Sequence, residues 1–281
     1  MLRDRKLGLI GAGSMAESIL AGLVEKGEIL PENVALVNRS DKERLMSLSR
    51  RYGLDESNHK PERILEADVV ILAVKPKDMA DVLNHWGKQF RAGQMLISVV
   101  AGISTSCIEG ALAEKLPVIR VMPNTSCTVG LSATAICRGQ WVREEELETA
   151  CRIFSAIGSV ITVREEMMDA VTGLSGSGPA YVYYLVEALE AAGVQAGLTP
   201  ETARNLTVQT LLGAAQMLMT SGKGAADLRN EVTSPGGTTM AALEVLHRYR
   251  FDEAVIQAVL RAKERSKEMG EQYAVALHHT R

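Results

Sequence analysis

The chain has 281 residues, of which 46% are hydrophobic and 23% charged, and a formal net charge of -3 at pH 7. The length is sufficient for two domains, and the composition is that of an ordinary soluble protein. The acidic balance and the lack of a basic run argue against a nucleic-acid partner. No apolar run reaches transmembrane length, and residues 1–6 lead directly into a strand, so we expect a cytoplasmic protein without a membrane partner. The four cysteines have no C-x-x-C spacing, so we predict neither a metal site nor disulfides.

The first predicted strand, residues 7–10, is followed by a glycine-rich turn and a helix over residues 15–26. The turn reads G-x-G-x-x-A. Gly11 permits the tight turn, Gly13 lets backbone N–H groups approach a pyrophosphate, and Ala16 allows close packing of the helix on the strand. Such turns also occur without a ligand, but strand, turn and helix agree here, so we predict a dinucleotide site at the helix N-terminus. Its predicted contacts are Gly11, Ala12, Gly13, Ser14, Met15 and Ala16.

The predicted second strand, residues 34–37, ends at Asn38 and Arg39. In a dinucleotide-binding sheet this end faces the adenosine ribose. An acidic residue there binds the 2′-hydroxyl of NAD, whereas an arginine suits the 2′-phosphate of NADP. Since no acid occurs before Asp41, we predict NADPH as the cofactor and keep NADH as the alternative. A solvated loop charge is the other interpretation of Arg39.

More apolar strands complete the predicted sheet, at residues 67–74, 95–99, 118–122, 132–136 and 160–163. The alternation of strands and helices predicts an N-terminal α/β Rossmann domain over residues 1–163, with a doubly wound, mostly parallel sheet. Residues that follow the carboxyl ends of its strands are candidate cofactor contacts. They are Ala73, Val74, Lys75, Pro76 and Asn124. An edge charge is the alternative for Lys75, and a plain turn is the alternative for Asn124.

The periodicity becomes helical from residue 164 onward, which predicts an all-α C-terminal domain over residues 164–281. Residues 175–179 are expected to interrupt the helical pattern. The helix after them, residues 181–196, is apolar all round, which favours a position at a subunit interface. The last helix is predicted over residues 252–271, followed by a frayed tail from Tyr273.

A glycine pair, Gly236 and Gly237, delivers the chain into a helix that begins with Thr238 and Thr239. Two hydroxyls beside free backbone N–H groups form a site for an anion the size of a carboxylate. The alternative is a turn with a threonine as the helix N-cap.

Five motifs resemble those of the pyrroline-5-carboxylate reductase family, over essentially the whole chain. They are IGAGSMA at residues 10–16, AVKP at 73–76, RVMPNT at 120–125, DAVTGLSGSGPAY at 169–181 and VTSPGGTT at 232–239. The resemblance implies NAD(P)H-dependent reduction of 1-pyrroline-5-carboxylate to L-proline, the last step of proline biosynthesis. It also implies a Rossmann domain with an all-helical dimerisation domain, and a homodimer that often assembles further into a decamer.

The resemblance also implies roles for individual residues. Contacts to the adenosine phosphate fall on Asn38, Arg39 and Ser40, and Asn58 corresponds to a ribose contact. Val74, Lys75 and Ala101 are further cofactor contacts. The substrate carboxylate is expected at Ser234, Gly237, Thr238 and Thr239, with Glu165 and Ser177 nearby. Thr239 is expected to hydrogen-bond the ring nitrogen, which makes it the predicted catalytic residue.

A protonated cyclic imine is already a strong electrophile, so its reduction needs mainly orientation and desolvation. The sequence agrees, because no His–Asp pair or activated lysine falls within the motifs. We therefore expect Thr239 to orient the substrate rather than to act as a strong acid. One alternative is a related NADP-linked reductase, a β-hydroxyacid or F420-coupled enzyme, although residues 181–196 lack the lysine that the hydroxyacid enzymes would need. The other is a non-catalytic dinucleotide-binding regulator.

Overall fold

A seven-stranded sheet organises the first part of the chain in the computed structural model, which describes residues 2–279 and the side chains as far as Tyr273. The strands are β1 (Leu7–Ile10), β2 (Val34–Val37), β3 (Val69–Leu72), β4 (Met95–Ser98), β5 (Val118–Met122), β6 (Ser132–Arg138) and β7 (Gly158–Thr162). Their order is β2-β1-β3-β4-β5-β6-β7. All neighbours are parallel except β5 and β6, which are antiparallel. The predicted doubly wound, mostly parallel sheet is confirmed.

Six helices accompany the described part of this sheet. They are α1 (Ser14–Glu25), α2 (Lys42–Tyr52), α3 (Pro61–Leu65), α4 (Met79–Trp86), α5 (Thr105–Glu109) and α6 (Glu144–Ser155). They cover both faces, which explains why β3 is apolar at every position. Val69 and Ile71 belong to one core cluster, with side chains of α1, α2 and α6, whereas Val70 and Leu72 belong to the other, with side chains of α3, α4 and α5. Successive side chains of a strand point to opposite faces, so a strand covered on both sides is apolar throughout.

The remaining described elements are helical, as the sequence predicts. They are α7 (Met168–Val171), α8 (Gly178–Gln195), α9 (Pro200–Thr220), α10 (Ala225–Glu231), α11 (Thr238–Arg248) and α12 (Phe251–His279). The predicted tail from Tyr273 is wrong as far as His279, because α12 continues to that residue. Residues 280–281 lie outside the described part.

The expected interruption at residues 175–179 is confined to Ser177, a bend between a π-helical turn and α8. The backbone stays helical through Thr172–Gly176, which forms a π-helical turn between α7 and α8. The N–H of Ser177 donates to the carbonyl of Thr172 at 2.9 Å, five residues back. Such π turns often occur at functional sites in other proteins. The helix is therefore widened over Thr172–Gly176 and interrupted at Ser177.

The chain divides into two compact units. The first contains the residues up to Ser177 and those from Arg261 onward, and the second is Gly178–Leu260. Within the first unit, the C-terminal half of α12 is held by a hydrogen bond of 2.7 Å from Ser266 to Asp169. The predicted division of domains at residue 163 stays a prediction. No helix in the described part of the chain has the length and apolar character needed to span a bilayer.

Candidate dinucleotide and substrate sites

The glycine turn after β1 is built around Gly11, which is buried and has φ +109. Its N–H donates to the carbonyl of Val37 at 2.9 Å, which fixes the turn to the end of β2. A β-carbon at Gly11 would lie 2.4 Å from the carbonyl oxygen of Ala73. Only glycine accepts both the positive φ and this close approach. The turn therefore joins the carboxyl ends of β1, β2 and β3 at one edge of the sheet.

Gly13 lies in open surroundings, in contrast to the closely packed Gly11. It is exposed, and a β-carbon there would meet no atom within 4 Å. Gly13 is the N-cap of α1 and makes no side-chain hydrogen bond to the helix end. Open space therefore lies beside the start of α1, where the first N–H groups of a helix can bind a pyrophosphate. Gly11 and Gly13 thus have the backbone surroundings that a dinucleotide turn needs, and the contacts of this loop with a cofactor stay a prediction.

Arg44 on α2 braces the glycine turn, a role that the sequence does not reveal. Its Nε donates to the carbonyl of Ala12 at 3.1 Å, and its guanidinium pairs with Glu17 in the first turn of α1. Arg51 donates to the same carboxylate at 3.0 Å. Burial raises the pKa of Glu17, but the charges and hydrogen bonds of these two arginines outweigh it and the pKa is lowered overall. The negative charge beside the predicted pyrophosphate position is therefore balanced.

The predicted adenosine contacts lie just after β2. Arg39 is exposed, and its Nη1 donates to Asp81 on α4 at 2.8 Å. Its Nη2 lies 3.6 Å from Asp78. Asn38 and Ser40 flank it on the same loop. The structure thus brings two acidic side chains to the only arginine of this loop.

Asn58 has a structural position instead. Its side chain is 1% exposed, donates to the carbonyls of Pro31, at 2.9 Å, and of Val34, and accepts from the N–H of Asp55 at 2.8 Å. Val34 begins β2, so these bonds lie at the amino end of that strand, whereas the glycine turn lies at the carboxyl end. The structure does not bring Asn58 together with the other predicted cofactor contacts.

The remaining predicted contacts follow the carboxyl ends of neighbouring strands. Ala73, Val74, Lys75 and Pro76 come directly after β3, Ala101 after β4 and Asn124 after β5. The N–H of Ala73 donates to the carbonyl of Ile10 at 2.9 Å, beside the glycine turn. The side chain of Asn124 accepts from the N–H of Ser126 at 3.1 Å and donates to the carbonyl of Ser175 at 3.2 Å. Asn124 therefore joins this edge of the sheet to the π-helical turn.

Glu165 occupies a buried network. Its carboxylate accepts from Arg120 at 2.6 Å and from the N–H and hydroxyl of Thr105 at 3.1 and 2.8 Å. Asp169 lies 3.6 Å from the second Nη of Arg120. Burial raises the pKa of Glu165, but the charge of Arg120 and these hydrogen bonds outweigh it and lower the pKa overall. Glu165 therefore acts as the counter-ion of the buried Arg120. The resemblance instead implies a position beside the substrate carboxylate.

Arg120 is the main group that sequence reasoning missed. It stands in the middle of the apolar strand β5 and its side chain is 4% exposed. Its Nη2 makes no hydrogen bond. A buried guanidinium needs acidic partners, so an arginine inside an apolar strand was a signal for a nearby carboxylate.

In the second unit, Gly237 is the N-cap of α11, and Thr238 and Thr239 are the first residues of the helix. Gly237 donates its N–H to the carbonyl of Ser234 at 3.0 Å, after a turn at Gly236 with φ +72. The alternative of a threonine N-cap is wrong, since a glycine caps this helix without a side-chain bond. The first N–H groups of a helix favour a nearby anion, so the carboxylate site at the start of α11 stays a prediction. Glu165 and Ser177 belong to the first unit.

Among the residues that the structure describes, no group of three or more His, Cys, Asp or Glu side chains is placed to hold a metal ion. An open glycine turn at the carboxyl edge of a mostly parallel sheet, followed by an all-helical region, defines a Rossmann-fold protein of the dinucleotide-binding class.

Two family models match separate parts of the chain. Residues 165–269 match the model described as pyrroline-5-carboxylate reductase dimerisation, and residues 6–102 match NADP oxidoreductase coenzyme F420-dependent. Pyrroline-5-carboxylate reductase 1 of Bacillus subtilis is 45% identical over 268 residues, which cover 95% of this chain and 90% of the relative. Pyrroline-5-carboxylate reductase 2 of the same organism is 42% identical, over 97% of this chain and 98% of the relative. The chain belongs to the pyrroline-5-carboxylate reductase family.

Solved structures agree with this assignment. The pyrroline-5-carboxylate reductase of Coxiella burnetii superimposes with a TM-score of 0.86 at 36% identity, over 94% of this chain and 98% of that one. The pyrroline carboxylate reductase of Plasmodium falciparum, solved with NADP bound, gives a TM-score of 0.84 at 31% identity, over 96% and 100%.

Proposed function

We propose that this chain reduces 1-pyrroline-5-carboxylate to L-proline with NADPH, or with NADH as the alternative, as the last step of proline biosynthesis. The observation that carries the proposal is that a member of this family has a backbone suited to each of the two predicted sites. The first unit has an open glycine turn at Gly13, and the second has a helix start at Thr238 and Thr239 whose N-cap, Gly237, makes no side-chain hydrogen bond. The F420-dependent match covers only residues 6–102, whereas the reductase relatives cover nearly the whole chain.

The first unit would hold the cofactor. In the proposal, the N–H groups at the start of α1 bind the pyrophosphate, and the loop after β2 binds the adenosine end through Asn38, Arg39 and Ser40. The residues after β3, β4 and β5 line the rest of the cofactor, and Asn124 anchors that edge to the π-helical turn through Ser175. When bound, the nicotinamide supplies the hydride that reduces the imine carbon.

The helix start of α11 would hold the substrate. In the proposal its N–H groups, with the hydroxyls of Ser234 and Thr238, bind the carboxylate, since an anion is favoured at a helix N-terminus. The Thr239 hydroxyl hydrogen-bonds the ring nitrogen and fixes the plane of the imine. Ser177 stays a proposed substrate contact. For Glu165 the network with Arg120 and Thr105 supports a structural counter-ion instead.

We also propose that the chain acts as a cytoplasmic homodimer that can assemble into a decamer. Across residues 178–260, all of which the structure describes, Ala203 is the one buried side chain. Large apolar side chains such as Tyr183, Tyr184, Leu212 and Met219 are exposed on α8 and α9. Apolar surface of this extent marks an interface between proteins. Light scattering after gel filtration will test the assembly, with masses of two or ten chains as the expected results.

The direct test is oxidation of NADPH, and separately of NADH, with 1-pyrroline-5-carboxylate, followed by absorbance and with proline identified as the product. Turnover on the order of 1–1000 per second is expected. Folded protein that binds NADPH but shows no turnover would refute the substrate assignment and leave the dinucleotide site standing.

Thr239 can be tested in the same assay. Thr239→Ala is expected to lower kcat/KM at least about tenfold, or about 1.4 kcal/mol, while Thr239→Ser keeps the hydroxyl and most of the activity. Thr149→Ala is the matched control, because Thr149 is half-buried on α6 and its hydroxyl donates within that helix, to the carbonyl of Glu145. A smaller loss in Thr239→Ala than about tenfold would contradict even the orienting role.

A further inference from the structure

The acidic side chains around Arg39 bear on the choice between NADPH and NADH, a role that rests on the proposed function. The loop after β2 supplies Arg39 but no acid before Asp41, which alone favours a 2′-phosphate. The structure adds acids from a different segment. Asp78 ends the 3-10 turn Pro76–Asp78 after β3, and Asp81 lies one turn further, on α4.

Both carboxylates lie within reach of the same guanidinium. Arg39 is 2.8 Å from Asp81 and 3.6 Å from Asp78. Asp81 and Arg39 are largely exposed, with side chains 69% and 73% accessible, whereas Asp78 is 29% accessible. An exposed ion pair adds little to the stability of the fold, so the acids are not needed to hold the loop in place. The two carboxylates instead act electrostatically on any charged group that binds to Arg39.

The two possible cofactors differ in that charge. A 2′-phosphate bound by Arg39 would place up to two negative charges near Asp81 and Asp78. Like charges that share one guanidinium repel each other. A ribose 2′-hydroxyl carries no charge, and a carboxylate near it accepts a hydrogen bond, as the acid of NAD-binding sheets does. The acids therefore oppose NADPH without opposing NADH.

We propose that Asp81, assisted by Asp78, is a specificity-determining residue that reduces the preference for NADPH which Arg39 would otherwise give. In this arrangement the cofactor preference of the chain is a balance between one cation from the β2 loop and two anions from the β3–α4 connection. The chain consequently uses both nicotinamide cofactors, and removal of the Asp81 charge shifts it toward NADPH.

The test is a fluorescence titration of the full chain with NADPH and with NADH in the absence of substrate. Asp81→Asn is expected to tighten NADPH binding about three- to tenfold and to leave NADH binding unchanged or weaker, and Asp78→Asn to act in the same direction. The gain should shrink in high salt, because exposed charges are screened. In an Arg39→Gln background, Asp81→Asn should still not improve NADH binding.

Glu145→Gln is the matched control. It removes the same charge from an exposed pair, with Arg5 at 3.2 Å, near the amino end of β1. An equal change in the affinities for both cofactors, no change in Asp81→Asn, or an equal gain in Glu145→Gln would overturn the proposal. Binding of neither dinucleotide would overturn it together with the cofactor assignment. Normal binding shifts without any turnover would leave it standing and count only against the proposed reaction.

Discussion

The two glycines of the turn after β1 give a sharp prediction. Alanine should lower the stability of the fold at Gly11 and should weaken NADPH binding at Gly13. At Gly11 an alanine would be forced to φ +109 with its β-carbon 2.4 Å from the carbonyl oxygen of Ala73. The positive φ costs about 1–2 kcal/mol, and relief of the clash adds a similar amount. Gly11→Ala is therefore expected to lower the free energy of unfolding by about 2–4 kcal/mol, and the melting temperature by about 5–15 °C.

At Gly13 the backbone is already in an ordinary extended conformation, with φ -73 and ψ 179, and a β-carbon meets nothing within 4 Å. Gly13→Ala should thus change the stability by no more than about 1 kcal/mol, the cost of a poorer N-cap. Its methyl group would occupy the space through which a pyrophosphate approaches the N–H groups of α1. We expect NADPH binding to weaken at least about tenfold, which is about 1.4 kcal/mol.

Thermal melting and NADPH titration of the two variants and the parent protein separate these effects. The expected pattern is an unstable Gly11→Ala protein and a stable Gly13→Ala protein that binds NADPH poorly. If Gly13→Ala bound NADPH as tightly as the parent protein, the turn would not be the pyrophosphate site. If it melted as early as Gly11→Ala, the assignment of strain to the first glycine alone would be wrong.

Three further predictions concern two partly buried charged groups and one buried thiol. Arg44→Met should weaken NADPH binding several-fold in titrations. It removes the hydrogen bond to Ala12 and one of the positive charges that neutralise Glu17 beside the predicted pyrophosphate position. Unchanged affinity would show that the turn does not need the support of Arg44. The pKa of Glu165 is lower in the folded state than its ordinary value of 4.5. The stabilisation it gives is therefore complete above that pH and is lost as the pH falls through the folded pKa. Glu165→Gln should melt earlier at neutral pH and show a flatter loss of melting temperature in acid; parallel curves for variant and parent would refute this. Burial and the charge of Glu165 raise the pKa of the Cys137 thiol well above its usual range, so mass spectrometry should find Cys137 unalkylated by iodoacetamide in native protein at about pH 8 and alkylated after unfolding.

The strands were predictable because a strand buried on both faces is a nearly continuous run of apolar residues. β1, β2 and β5 begin and end where the sequence predicts. The third strand is shorter than its apolar run of residues 67–74, because the chain leaves the ladder after Leu72 to form the loop at the carboxyl edge. The residues of such a loop can be apolar because they also pack against a core, as Ala73 and Val74 do. The end of an apolar run therefore does not mark the end of strand pairing.

The helical part was predicted less well, for two physical reasons. Glycine and serine at residues 175–179 indicate a break by their local propensity, and the break occurs at Ser177 alone. Hydrogen bonds from Asn124 to Ser175 and from Ser175 to Ala133 accompany the π turn that keeps Thr172–Gly176 helical. Tertiary contacts of this kind override propensity. The tail after Tyr273 stays helical as part of a 29-residue helix whose first-unit half is fixed by Ser266.

The candidate site was predictable where the chemistry lies in consecutive residues, as in the glycine turn and at Thr238 and Thr239. It was not predictable where partners come from distant segments. Arg44 and Ala12 are 32 residues apart, and Arg120 and Glu165 are 45 apart. Sequence spacing carries no information about such pairs without the fold that joins them.

The near absence of an interior in residues 178–260 has a consequence for how the protein is made. Helices α8 and α9 carry large apolar side chains that one chain alone leaves in water, so on the proposed dimer their folding and their association are one thermodynamic event. The stability of this region then follows mass action and increases with protein concentration. A newly synthesised chain would therefore depend on meeting a second copy before α8 and α9 gain a hydrophobic core.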